Sequence, residues 1–416
     1  MNPQAAPWLF VSYGGGHVKA LLPVARRARE LGLAQPVYLA LTTAAAEARA
    51  AGLQVLGFRD LLQPGDEAAL RRGEELAAAL AIKAADHEES VAYLGLSYAD
   101  LETRVGEEAA ALAYARFGRQ AFLPRSVLER ALDRVQPALV LVTNSPRAER
   151  AAIEVARARG IPALCLLDLF GQWERAVLAQ AAYGDMLCVL NEAVRQSFIA
   201  AGRPAASVQV TGNPAFDALA DASLHALGHR WRAEAGWDGL QVLLYASSPE
   251  PQHSPGVERE GDPLLPRRIE HALVQAVQAN PRLALWVRRH PSEGPPDEII
   301  ALGHPRIRAS GPGQALPAML HACDEVVVTV STVGVEARIA GRRVSQVRGS
   351  ILDELSPYLA MGIADRELTL ADLKALQPLP AARLGAEPEA GADATARVLS
   401  VARALVASGQ ALRVLE

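Results

Sequence analysis

WLFVSYGGGHVKALLPVARRARELG, residues 8–32, reads as a buried strand, a glycine turn and an amphipathic helix. The strand WLFVS is apolar without interruption, as expected of a parallel sheet covered on both faces. Val18, Leu21, Leu22, Ala25 and Ala28 then recur at helical spacing. Between the two elements, Gly14, Gly15 and Gly16 let another group approach the backbone closely. Free N–H groups at the helix start attract anions. Pro23 is best tolerated in a first turn, which predicts a helix beginning near Lys19 or Ala20. His17 then stands on the exposed lip, where a neutral imidazole can take a proton from a hydroxyl group. The plainer reading is a glycine-rich turn with an incidental histidine.

The rest of the chain repeats the strand–helix alternation. In the first half the strands are WLFVS, PVYLALT, LQVLGF, ALVLVTN, ALCLLDL, MLCVLN and VQVTG. A second series follows from about residue 240: QVLLYASS, LALWVRRHP, RIRAS, EVVVTVST and RVSQV. The expected architecture is α/β, with two Rossmann-like doubly wound domains facing a central cleft. Residues 1–212 form the first domain, 213–238 a connector, 239–390 the second domain and 391–416 a terminal helix. Residues 60–105 read as an acidic helical insertion, and 249–266, rich in Pro and charge, as a mobile loop.

Bulk composition limits the partners. The 416 residues are 50% hydrophobic and 21% charged, with a formal net charge of −4. That balance offers no basic field for nucleic acid. Three scattered cysteines suit a reducing cytoplasm better than a disulfide framework or a zinc site. No basic and then apolar leader opens the chain. No run reaches the roughly 18 apolar residues of a spanning helix, which leaves only peripheral contact with a membrane. A cytoplasmic location without cofactor or metal is expected.

Candidate ligand residues follow strands. WVRRHPSEG (286–294) places Arg289 and His290 at a strand end, locked by Pro291, where they suit a phosphate. VVVTVSTVGVEARIAGRRV (326–344) ends a buried strand in Ser331-Thr332 and opens a helix. Hydroxyls and free N–H groups there can bind phosphate, and Glu336 can accept both hydroxyls of a ribose. A capping arrangement explains the same residues without a ligand. VTGNPAFDAL (210–219) reads as a strand followed by a helix capped by Asn213.

Taken in order, these segments resemble the GT-B glycosyltransferases. GGGHVKALLPVARRARELG is similar to their opening loop, in which the matching histidine is a base or lines the acceptor pocket. S-T-x-G-x-E-A followed by G-x-x-V resembles their nucleotide-binding segment, and VTGN-x-x-x-D-A-L that of the nonhydrolysing UDP-GlcNAc 2-epimerases. The resemblance implies metal-independent transfer of a sugar to a hydroxyl, in the synthesis of bacterial surface polysaccharide or glycoconjugate. The nucleotide-sugar donor, UDP-linked in preference to CMP-linked, would be held by Ser247, Ser248, Arg289, His290, Ser331, Thr332 and Glu336. A sugar or lipid-linked sugar acceptor would lie near Gly15, Gly16 and His17. Asn144 stands where many plant-type members carry an Asp partner for the histidine. Asp168 stands near a Glu of the epimerases. An epimerase-like isomerase and a noncatalytic nucleotide-sugar-binding subunit are the rival readings.

Overall fold

The computed structural model describes residues 5–80, 87–254, 257–311, 313–377 and 393–415. It divides into two compact units, Met1–Ala215 with Asp393–Glu416, and Phe216–Ala392. The boundary expected at 390/391 lies outside the described residues.

The first unit carries seven strands: β1 (Pro7–Ser12), β2 (Gln35–Ala40), β3 (Gln54–Leu56), β4 (Leu139–Val142), β5 (Ala163–Leu166), β6 (Met186–Val189) and β7 (Val208–Val210). They form one parallel sheet in the order β3-β2-β1-β4-β5-β6-β7. Continuous apolar strands bury both faces: Leu9, Phe10, Val11, Leu139, Val140 and Leu141 are wholly inaccessible. The order reverses between β1 and β4, so this is the topological switch point, where doubly wound sheets bind ligands outside the strand ends.

The second unit repeats the plan with β8 (Gln241–Ala246), β9 (Leu283–Arg288), β10 (Ile307–Ala309), β11 (Glu325–Val328), β12 (Arg343–Val347) and β13 (Arg366–Leu368). Their order is β10-β9-β8-β11-β12-β13, again all parallel, with the switch between β8 and β11. β13, a short edge strand, has no apolar run in the sequence to announce it.

Local differences from expectation have physical causes. The first helix runs Gly16–Glu30, so Pro23 lies inside it rather than in its first turn. The hydrogen bond that Pro23 cannot make belongs to the carbonyl of exposed Lys19, which water can serve. The connector expected at 213–238 is divided at Ala215/Phe216 between the two units. The helix Ala222–Glu234 packs so tightly on Leu316–Ala322 that a Cβ on Gly228 would meet the Ala318 carbonyl at 2.5 Å. The 249–266 loop, its described part at least, is anchored. Glu250 accepts the Ile351 N–H at 2.7 Å, and Arg259 bonds the carbonyls of Gly349 and Ser350.

Two further elements frame the first unit. The terminal helix Ala394–Leu415 buries Val398, Leu399 and Ala402 in the same core as Trp8 and Leu21. Between β3 and β4, the helices Glu67–Ala79 and His87–Val105 meet at Gly73 and Gly95, where backbone touches backbone. From the second of them, the Tyr93 hydroxyl reaches the Tyr13 hydroxyl at 2.8 Å and ties the insertion to the glycine turn. Among the described residues no helix is long and apolar enough to cross a membrane.

Candidate functional site

The turn after β1 uses its three glycines differently. A Cβ on Gly14 would stand 1.8 Å from the Thr43 hydroxyl, and Gly15 has φ +69, which L side chains rarely adopt. Gly16 has open space around it and no such constraint. The loop after β2 is held against the turn by the Gly14 N–H, which donates to Thr42 Oγ1 at 3.2 Å. Thr42 itself has φ +56, a strained conformation for a β-branched residue.

The switch point then collects polar groups from three strands. His17 Nδ1 lies 4.0 Å from Asp168 Oδ2, each side chain about a quarter exposed. That is ion-pair range but too long for a hydrogen bond. Asn144, after β4, accepts the Asp168 N–H at 3.0 Å and donates to Glu174 at 3.3 Å. It therefore orients two acids. Burial pushes the Glu174 carboxyl up, Asn144 opposes this, and the Asp168 charge adds to it. Asn213 supports Asp168 from β7, donating to its carbonyl at 2.7 Å, and also accepts the Ala215 N–H as the sequence motif predicts of a cap.

Beneath this group lies Glu149, wholly inaccessible, in the helix Ala148–Ala158. Its Oε1 accepts the Tyr13 N–H at 3.1 Å and the Thr143 hydroxyl at 3.2 Å. Burial raises its carboxyl above the usual range, and nearby His17 is the largest opposing influence. Arg147 lies over the Tyr13 ring, 4.0 Å from its centroid. Glu149 and Glu174 are absent from the sequence candidates. Glu149 has a signal: it shares a helical face with Ala152, Ile153 and Ala156, where an acid is out of place.

In the second unit the strand ends β9, β8 and β11 are neighbours, and the motifs after them meet. Ser247 donates to Glu293 at 3.0 Å, and Glu293 accepts the His290 N–H at 2.9 Å, fastening the His-Pro turn to β8. Ser248 bridges to the Val330 carbonyl at 3.3 Å. Ser331 caps the helix Thr332–Ile339 by accepting the Val333 N–H at 3.3 Å, and Tyr358 donates to its carbonyl. Thr332 is exposed and Glu336 half-buried one turn on. Glu293 and Tyr358, which position this group, are also missing from the sequence candidates.

Arg289 needs a correction. Its side chain is only 5% exposed. The guanidinium makes four hydrogen bonds: two to Glu270, one to Glu298 and one to the Pro295 carbonyl. A guanidinium so occupied has too few free donors to take a phosphate. Among the described residues, no group of three or more His, Cys, Asp or Glu side chains is arranged to hold a metal ion.

No protein-family model matches the chain, nor does any curated protein sequence. Solved structures do match along its whole length. UDP-GlcNAc 2-epimerase from Neisseria meningitidis bound to UDP-GlcNAc is 14% identical, covers 95% of this chain and 99% of its own, and has a TM-score of 0.55. The Methanocaldococcus jannaschii UDP-GlcNAc 2-epimerase, in complex with UDP-GlcNAc and UDP, is 11% identical, with coverage of 95% and 99% and a TM-score of 0.52. The glycotransferase of kitacinnamycin is 14% identical, covers 99% of both chains and has a TM-score of 0.52. The chain has the GT-B fold that these proteins share, as the order of its motifs predicts. Since folds host many reactions, the activity must be argued from the site.

Proposed function

We propose that the protein is a metal-independent glycosyltransferase that moves a sugar from a nucleotide-sugar donor to a hydroxyl acceptor. The observation that carries the reading is the meeting of Ser247, Ser248, His290, Ser331 and Thr332 at three adjacent strand ends beside the second switch point. Such a group, at the N-terminus of the helix Thr332–Ile339, suits the diphosphate of a UDP-sugar. Glu336 is assigned to the ribose.

In the reaction, His17 takes the proton of an acceptor hydroxyl. The oxygen attacks the anomeric carbon, and the nucleoside diphosphate leaves with the bonding electron pair. The helix N-terminus at Thr332 and His290 offset the charge on the leaving group, the task a metal performs elsewhere. Turnover is accordingly expected to persist in excess chelator.

A second reading, 2-epimerisation, draws on the Asp168–Asn144–Glu174 group, since paired carboxylates suit proton removal and return at carbon. Incubation with UDP-GlcNAc alone, followed by NMR, separates the two. The transferase reading predicts no UDP-ManNAc, and its formation at enzymatic rates would replace that reading with the second.

A further inference from the structure

Four buried polar atoms at the first switch point have no hydrogen-bond partner: His17 Nδ1, Ser145 Oγ, Arg147 Nε and Glu149 Oε2. They come from the helix after β1 and from the loop and helix after β4. An unpaired buried polar atom is costly, so orphans gathered together mark a place where something is shared. The nearest acid to His17 by measured distance, Asp168, does not settle the matter. Its Oδ2 stays 4.0 Å from Nδ1, and its Oδ1 accepts the Leu169 N–H.

We propose that Glu149 is the positioning residue of His17: Oε2 serves the buried Nδ1 through one ordered water shared with Ser145, and fixes the Nδ1–H tautomer. A buried water commonly makes about three such bonds. The carboxylate also grips the turn from below, because Oε1 holds the Tyr13 N–H four residues before His17. Only Nδ1 of the imidazole is buried without a partner, and the side chain is a quarter exposed, so Nε2 is the nitrogen presented outward. With Nδ1 protonated, Nε2 carries the lone pair that takes a hydroxyl proton. The imidazolium so formed faces a carboxylate, which stabilises it.

The titratable and charged groups around Glu149 fit a private pair. Tyr13 at the end of β1, Tyr38 on β2, Cys165 on β5 and Tyr183 before β6 all lie within reach of its charge. Burial raises each of these four, so they remain neutral. His17 and Arg147 are the cations nearby; Arg147 is stacked on Tyr13, and its Nε is also buried without a partner.

The catalytic meaning of the pair rests on the transferase reading, but its test does not need turnover. Carboxyl ¹³C NMR follows the titration of Glu149, and side-chain ¹⁵N shifts report the His17 tautomer. Removing the imidazole in His17→Ala is expected to move the Glu149 midpoint further upward, while Asp168→Asn leaves the His17 tautomer as it is. Glu149→Met is expected to abolish the Nδ1–H preference. A Glu149 midpoint indifferent to His17→Ala, or a tautomer that changes with Asp168 and not with Glu149, overturns the proposal. Should Glu149→Met not fold, the His17→Ala titration decides alone, since Glu149 is then native. If the coupling is present and no sugar is transferred to any acceptor, the transferase reading fails and the pair stands.

Discussion

Arg289 Nε and Nη2 grip the two oxygens of Glu270 at 3.0 and 2.7 Å, with both side chains under 10% exposed. Stranding one charge of such a pair costs about 3–5 kcal/mol, but Arg267 also donates to Glu270, at 3.1 Å, and would remain. Arg289→Met is therefore expected to lower unfolding stability in urea titrations, by less than that full cost. Glu270→Met added to it recovers part of the loss. An Arg289→Met protein of unchanged stability that no longer binds nucleotide would instead return Arg289 to the ligand site.

The glycine turn predicts a graded series. Gly16→Ala meets open space and should change stability by less than about 0.5 kcal/mol. Gly15→Ala must hold φ +69 and should cost about 1–2 kcal/mol. Gly14→Ala pushes on the Thr43 hydroxyl, so Thr43→Ala should recover part of its loss. Thermal melts of the set check the order, and equal effects at all three positions would contradict it.

Acid should weaken the second unit through His321. Its ring stacks on His225 with centroids 3.7 Å apart, its Nε2 donates to the Leu219 carbonyl, and its Nδ1 is buried without a partner. Burial, with His225 among the further causes, lowers its pKa to about 4. The folded state therefore keeps His321 neutral while the unfolded chain takes a proton below about 6.5. Its contribution is complete above pH 6.5 and is lost progressively as the pH falls toward 4. Melting temperature followed over that window should slope less in His321→Gln than in the parent, and parallel slopes would exclude the assignment.

His17→Ala should reduce turnover by about 10²–10⁴-fold, the usual size of a lost general base. Donor affinity should hold, because the assigned donor residues all lie in the other unit. Near-native transfer at saturating substrates would make the turn structural only.

Strand composition explains how much could be read in advance. Twelve of the thirteen strands are expected from the sequence; the central ones, such as β4 and β8, announce themselves by unbroken apolar runs buried on both faces, whereas β13 (REL) lies at an edge and has none. The residues that touch solvent at strand ends, such as His17 and Ser331, are legible because glycine, proline and hydroxyl residues punctuate the chain there. Their supports are not. Glu149 shows only as an acid interrupting an apolar helical face, and Arg289 looks available until Glu270, nineteen residues earlier, closes on it. Pairing across elements has no local signature.

The central claim is that the second unit holds a nucleotide diphosphate, and ligand-induced stabilisation tests it most directly. At 100 times its dissociation constant a ligand stabilises the native state by about 2.7 kcal/mol, enough to raise the melting temperature visibly. The account predicts a larger rise with UDP than with CMP, CDP or GDP, and loss of most of that rise in Glu336→Ala and in His290→Ala. A larger rise with CMP would reassign the donor to the CMP-sugars, and no rise with any nucleotide would contradict the donor site altogether.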